Sequence, residues 1–339
     1  SIGCGVANWE CGLQLSEKIR ENAQFYREGN RKEALRRLSI VNLDLYQFLL
    51  LNRDLISYDQ EVNLYVAYAN SDEMIIEHVV TDPYDFSLTQ PLPRSEPFQR
   101  SYFDMFSRIV IASEYGNTKD VDIVFVGCLE KHLYMFYHVM SENGFLYNVS
   151  NVEVYDNNNC LIEQIVNGLE GGKRIRIILS DSLQRNAFKS LMMAAEDFTC
   201  VTGDMSFSEA ISMDKLFLYQ LMSWKEDHFA CYLTLIETLF PNPEEPIRHY
   251  MKIMDLIHRG KINCQRDYEN GIVWLAALLN DQNLKMQMKM LYDHLFEFYS
   301  FKEHLEGRIK GIRFPMQFQQ IESQVRDSLA SITERCRKG

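Results

Sequence analysis

Residues 198–219 read FTCVTGDMSFSEAISMDKLFLY. Phe198–Val201 is a short β-branched and aromatic run of the kind that forms a buried strand, and Lys215–Tyr219 is a second one. Between them lie a glycine, an aspartate, two serines and a glutamate, then a short helical pattern. The order strand, tight turn, helix, strand is a βαβ unit, and it sets a glycine-containing turn at the carboxyl end of a parallel strand. Two readings of that turn stay open. Ser206-x-x-Glu209 fits a capping box, in which the serine accepts from the third helical N–H and the glutamate reaches back to the serine N–H. Alternatively the helix start, with its free N–H groups and positive dipole end, holds a diphosphate; Gly203 then permits close approach and Ser206 adds a hydroxyl donor.

Working outward, the same alternation continues upstream. Val121–Gly127, Val152–Tyr155 and Arg174–Leu179 read as strands, with helices expected over 129–142, about 160–169 and 184–196. The region 119–240 is therefore expected to be a Rossmann-like α/β domain with a parallel sheet. Residues 1–118 are less regular. Helical patterns run to about 28 and over 31–51, Asn63–Tyr68 and Ser107–Ile111 look like strands, and Pro83, Pro91, Pro93 and Pro97 mark a long surface connection. This stretch is expected to be a reduced N-terminal α/β domain, and its abrupt opening in a glycine loop suggests truncation. Beyond Pro241–Pro246 only helices are expected, so 241–339 is a helical extension, with Met251, Met254, Leu256, Ile257, Leu284, Met288, Leu291 and Leu295 at core spacing.

Composition limits the functions available. The chain of 339 residues is 46% hydrophobic and 24% charged, as in folded globular proteins. A net charge of −12 with dispersed acids argues against general nucleic-acid binding. The eight cysteines are scattered through apolar surroundings without CxxC or HExxH spacing, which favours reduced, buried thiols and a cytoplasmic setting over a zinc site. No apolar run has the length of a membrane span. Asp120-Val121-Asp122 has the Asp-x-Asp form of a metal site but precedes its strand, so it reads as solvated charge and no obligatory metal is expected. Arg174 and Arg176 alternate on one strand face, either at a cleft or in salt bridges.

The run Ala194–Ile211 followed by Lys215–Tyr219 resembles the donor-binding half of GT-B glycosyltransferases. It is especially similar to the bacterial protein-arginine rhamnosyltransferase group and related bacterial secreted effectors. Where that group has a Gly-Glu-Asp-Ser turn, this chain has Gly203-Asp204-Met205-Ser206: the first acid is shortened and the second is replaced by methionine. The resemblance implies a GT-B-like fold and metal-independent transfer of a sugar from a nucleotide diphosphate sugar to a protein or other acceptor. It implies further that Gly203, Asp204, Met205 and Ser206 line the diphosphate and that Glu209 contacts the donor ribose or sugar. At neighbouring strand ends, Lys131 or His132 is a candidate to neutralise the leaving phosphate, with a solvated helix surface as the alternative. Ser180 is a candidate to edge the base, against a plain helix cap at Asp181. Gly3–Glu10 is similar to the glycine loop of the acceptor domain, with Glu10 as the base and Asn8 positioning the acceptor. Delivery into a host cell follows from the same resemblance.

Two other classes compete. Ile2-Gly3-Cys4-Gly5 also resembles the first motif of S-adenosylmethionine methyltransferases, although helical patterns rather than a strand with a terminal acid follow it. A non-catalytic interaction protein on a transferase-like fold is the third class, kept open by the missing second acid in the turn.

Overall fold

The computed structural model of the chain describes residues 15–27, 31–52, 62–69, 102–128, 148–167, 171–180, 182–221, 226–258 and 265–299. Three helices come first: α1 (Glu17–Arg27), α2 (Arg31–Val41) and α3 (Leu43–Leu51). Then follow β1 (Asn63–Tyr68), α4 (Tyr102–Ser113), β2 (Val121–Val126), β3 (Val149–Tyr155), β4 (Leu161–Val166) and β5 (Lys173–Ser180). The chain continues through α5 (Arg185–Ala194), β6 (Phe198–Thr202), α6 (Gly203–Ser212) and β7 (Leu216–Gln220). Four helices end the described part: α7 (Glu226–Leu239), α8 (Pro246–His258), α9 (Gln265–Leu279) and α10 (Gln282–Tyr299).

The strands form one seven-stranded sheet in the order β4-β3-β5-β2-β1-β6-β7. Every neighbouring pair is parallel except the edge pair β3–β4. The composition of each strand follows its place. Val121–Val126, in the interior, is buried at every position, as a strand covered on both faces must be, whereas the edge strand β4 is largely exposed. The parallel α/β sheet expected for 119–240 is thus present, but it is wider than that boundary. β1 pairs with β2 from Asn63↔Val121 to Tyr68↔Val126, so a division at 118/119 cuts between hydrogen-bonded neighbours. No separate N-terminal sheet forms among the described residues.

Two elements differ in type from expectation. Ser107–Ile111, expected as a strand, lies inside α4, where residues 103–111 are all buried. A short continuous apolar run has no periodicity to distinguish the two states, and here aromatic packing on the sheet decides: Phe106 stacks on Phe198 at 5.0 Å, and Phe103 meets Phe125 edge-on at 5.1 Å. Residues 161–166, expected within a helix, form β4. The Asn-rich link before it makes a tight hairpin: Asp156 Oδ1 accepts from the N–H groups of Asn158 (2.9 Å) and Cys160 (2.7 Å), and Asn159 takes a left-handed φ of 60°.

The outer helices belong to the same body. α1, α2 and α3 pack on α5, and α9 packs on α4. Arg20 of α1 pairs with Asp214 at 3.0 Å and lies 4.6 Å from the centre of the Phe296 ring. The edge strand β7 is covered rather than open: Tyr250 of α8 accepts from the Phe217 N–H at 3.1 Å and donates to the Phe217 carbonyl, while Tyr292 of α10 donates to the Lys215 carbonyl at 2.6 Å. Of the expected helical core, Met251, Met254, Leu284, Met288, Leu291 and Leu295 are buried and Leu256 is exposed. The side chain of Ile257 lies outside the described residues.

Candidate functional site

From β1 the chain moves to β2 on one side, and after β5 it returns to β6 on the other side of β1. The direction of winding therefore reverses between β1 and β6, and open α/β sheets bind ligands outside the carboxyl ends of the strands at such a point. Gly203 follows directly on β6 and opens α6 there. Its φ of +75° is a left-handed value that favours glycine, and a Cβ built on it would meet nothing within 4 Å, so the space beside it is open.

The capping box is not formed. Because α6 begins at Gly203, four residues earlier than that reading needs, Ser206 and Glu209 lie inside the helix. The Ser206 hydroxyl donates back to the carbonyls of Thr202 and Gly203, the usual choice of a serine in a first helical turn without a cap to make. Thr202, at the N-cap, makes no side-chain cap and donates instead to the Gln220 carbonyl at 3.3 Å. Neither hydroxyl occupies the N–H groups of the first turn. Met205, one residue before Ser206, is 41% exposed on the same turn.

Glu209 is buried, and its Oε1 accepts from both Arg185 Nε (3.0 Å) and Nη2 (2.8 Å). Arg185 is the first residue of α5, the helix that crosses from β5 to β6, and half of its side chain is exposed. α5 also starts without a side-chain cap, at Gln184. The pair thereby joins the uncapped start of α5 and its half-exposed guanidinium to the middle of α6, and at the carboxyl end of β1 Phe188 of α5 packs on Tyr68 at 5.6 Å between ring centres. An uncapped helix start and a guanidinium each favour negative charge, part of which Glu209 already supplies to Arg185. Arg185 was not singled out by sequence; the available signal was its place just after the carboxyl end of β5.

The other expected site residues fall as follows. Ser180 ends β5 as expected but is buried, and its carbonyl accepts from the N–H groups of Gly127 (2.9 Å) and Cys128 (3.0 Å), clasping β5 to the end of β2. Asn8, Glu10, Lys131 and His132 lie outside the described residues, as does the side chain of Asp204. The Asp120–Asp122 charge is not solvated: Asp122 is buried and paired with Arg176 through 2.8 and 2.6 Å bonds, and Asp120 accepts the Arg174 N–H at 2.8 Å. Burial raises the Asp122 carboxyl above its ordinary range, and the Arg176 guanidinium opposes that shift. These residues begin their strands, so the ion pairs lie toward the amino end of the sheet. There, Glu114 also accepts from Asn63 Nδ2 at 3.0 Å and from the Tyr65 hydroxyl, a buried cluster with structural rather than ligand-facing partners.

Among the described residues no group of three or more His, Cys, Asp or Glu side chains is arranged to hold a metal ion, and no helix is long and apolar enough to cross a membrane. Cys128 and Cys200 are buried as free thiols, Cys231 is half-buried and Cys160 is exposed. No protein-family model matches the chain, and no curated protein sequence matches it either.

Proposed function

We propose that the chain is a GT-B-type glycosyltransferase whose seven-stranded sheet is the donor half, binding a nucleotide diphosphate sugar at the Gly203 turn. The observation that carries this reading is the tethering of Arg185, at the uncapped start of α5, by Glu209 in the helix that Gly203 opens at the sheet's reversal point. In the proposed reaction an acceptor nucleophile attacks the anomeric carbon, the bond from that carbon to the diphosphate oxygen breaks, and the diphosphate leaves with the electron pair. The N–H groups of α6 and the Arg185 guanidinium stabilise the charge that develops on it. Glu209 holds Arg185 through Oε1, and in this reading Oε2, which makes no hydrogen bond to Arg185, takes the donor hydroxyl. The acceptor's proton passes to a base, for which the resemblance nominates Glu10 with Asn8 beside it.

A panel of nucleoside diphosphates, nucleotide sugars and S-adenosylhomocysteine in thermal-shift measurements tests the reading. A ligand that binds only the folded state adds about 2.7 kcal/mol at one hundred times its Kd, which is readily seen. Stabilisation by one nucleoside diphosphate, with release of that diphosphate from its sugar conjugate, is the expected result. Stabilisation by S-adenosylhomocysteine alone would assign the methyltransferase class. Binding without turnover of any conjugate would assign a non-catalytic role.

A further inference from the structure

α2 and α3 meet at Asn42, whose Oδ1 accepts the Leu45 N–H at 3.0 Å and fixes the angle at which α3 leaves. Their inner faces, Ala34, Leu35 and Leu38 on α2 with Leu45, Phe48 and Leu49 on α3, are buried. The outer face of such a pair is ordinarily polar. Here it presents Ile40 (82% exposed), Val41 (82%), Leu43 (68%), Tyr46 (50%), Leu50 (52%) and Leu51 (52%). Ile40 and Val41 are the most exposed large apolar side chains among the described residues. With Ser39, Leu43 and Tyr46 they line a shallow recess of about 480 Å³ that shares no residue with the carboxyl edge of the sheet.

The charge beside this patch has the opposite sign to that of the chain. Residues 31–44, which span the corner, carry four cations to two acids, Glu33 and Asp44, in a protein of net charge −12. Arg36 and Arg37 are exposed, and each stands one helical turn before an apolar tip, Ile40 and Val41 respectively. Arg37 pairs with Glu33 at 3.0 Å, but both groups are about half exposed, so a stronger anion displaces that contact at little cost. Apolar side chains at a capped corner, a tyrosine beside them and cations one turn behind make the pattern by which a protein seats on an anionic lipid surface.

We propose that the α2–α3 corner docks on an anionic membrane surface: Ile40, Val41 and Leu43 enter the acyl boundary, Tyr46 lies at headgroup level, and Arg36 and Arg37 engage lipid phosphates. This is independent of the transferase reading. Each cation near an anionic leaflet contributes a factor of about five to partitioning at moderate salt. The test is co-sedimentation of the full chain with vesicles of phosphatidylcholine alone, or containing roughly a third phosphatidylserine. The expected result is salt-sensitive pelleting with the anionic vesicles, reduced at least about tenfold by Arg36→Glu with Arg37→Glu and by Ile40→Ser with Val41→Ser. The thermal midpoint should be unchanged in both double variants, because all four side chains are exposed. No pelleting, equal pelleting with both vesicle types, or pelleting untouched by Ile40→Ser with Val41→Ser overturns the proposal. So does a dimer in size-exclusion chromatography that the same double variant converts to monomer, because a second copy is then the occupant.

Discussion

Arg185 gives two hydrogen bonds, from Nε and Nη2, to the single oxygen Oε1 of Glu209, joining the first residue of α5 to the middle of α6. The two ends of this pair differ in environment: the Glu209 side chain is 5% exposed and that of Arg185 50%. Their removal should therefore have unequal consequences.

Arg185→Met leaves a buried carboxylate without its partner, and a loss of about 1–3 kcal/mol is expected. Glu209→Gln keeps the acceptor oxygen and leaves the arginine in water, so its cost should be below about 1 kcal/mol. Urea denaturation of the two single variants and the double variant measures both costs and their coupling. Under the transferase reading both substitutions also weaken nucleoside diphosphate binding, Arg185→Met by the larger factor. A purely structural pair would show the stability order and no change in ligand binding.

The ion pair Asp122–Arg176 crosses two adjacent interior strands in direct register, with side chains 3% and 2% exposed. Arg176→Met strands a buried charge and is expected to cost about 3–5 kcal/mol, whereas Arg176→Met combined with Asp122→Leu should recover most of that loss. Chemical denaturation decides; a double variant no more stable than Arg176→Met would show that the pair itself, rather than desolvation, dominates.

Two glycines should respond for opposite reasons. At Gly203 the space is open but φ is +75°, so Gly203→Ala costs about 1–2 kcal/mol of backbone strain, and Gly203→Asn less. At Gly172 a Cβ would come within 2.8 Å of the Ser150 backbone nitrogen, so Gly172→Ala must push β3 from β5 and its cost should exceed that at Gly203. Thermal midpoints of the three variants give the order directly.

How much of this was legible in the sequence follows from where side-chain pattern alone determines structure. The β6–turn–α6–β7 unit could be read because Gly203 and the flanking apolar runs are local signals. α4 could not, because residues 103–111 are buried on every side and so lose the periodicity that marks a helix. β4 was hard to read because Leu161, Ile162, Ile165 and Val166 recur at helical spacing, and only the Asn-rich turn before them marks a hairpin. The central place of β1 depends on pairing with strands more than fifty residues away, Asn63 with Val121 and Val66 with Thr199, which no local window contains. The same holds at the site: Gly203, Ser206 and Glu209 stood out as a motif, whereas Arg185 joins them only across 24 residues and through the sheet's crossover.

Tyr155 closes β3 beside the Arg174–Glu153 pair and donates to Glu153 Oε2 at 2.9 Å. Burial, reinforced by the hydrogen bond to a carboxylate, raises its phenol from 10.0 to about 12. The folded state thus holds this proton more tightly than the unfolded chain does. Its contribution to stability is complete below pH 10.0 and is lost as the pH rises through about 12. Tyr155→Phe should therefore flatten the decline of stability across that window while leaving the slope at neutral pH unchanged. Urea midpoints of wild type and variant, measured at intervals from neutral to strongly alkaline pH, check the sign. If the two curves ran parallel throughout, Tyr155 would titrate alike in the folded and unfolded states, and the Glu153 hydrogen bond would have no hold on its proton.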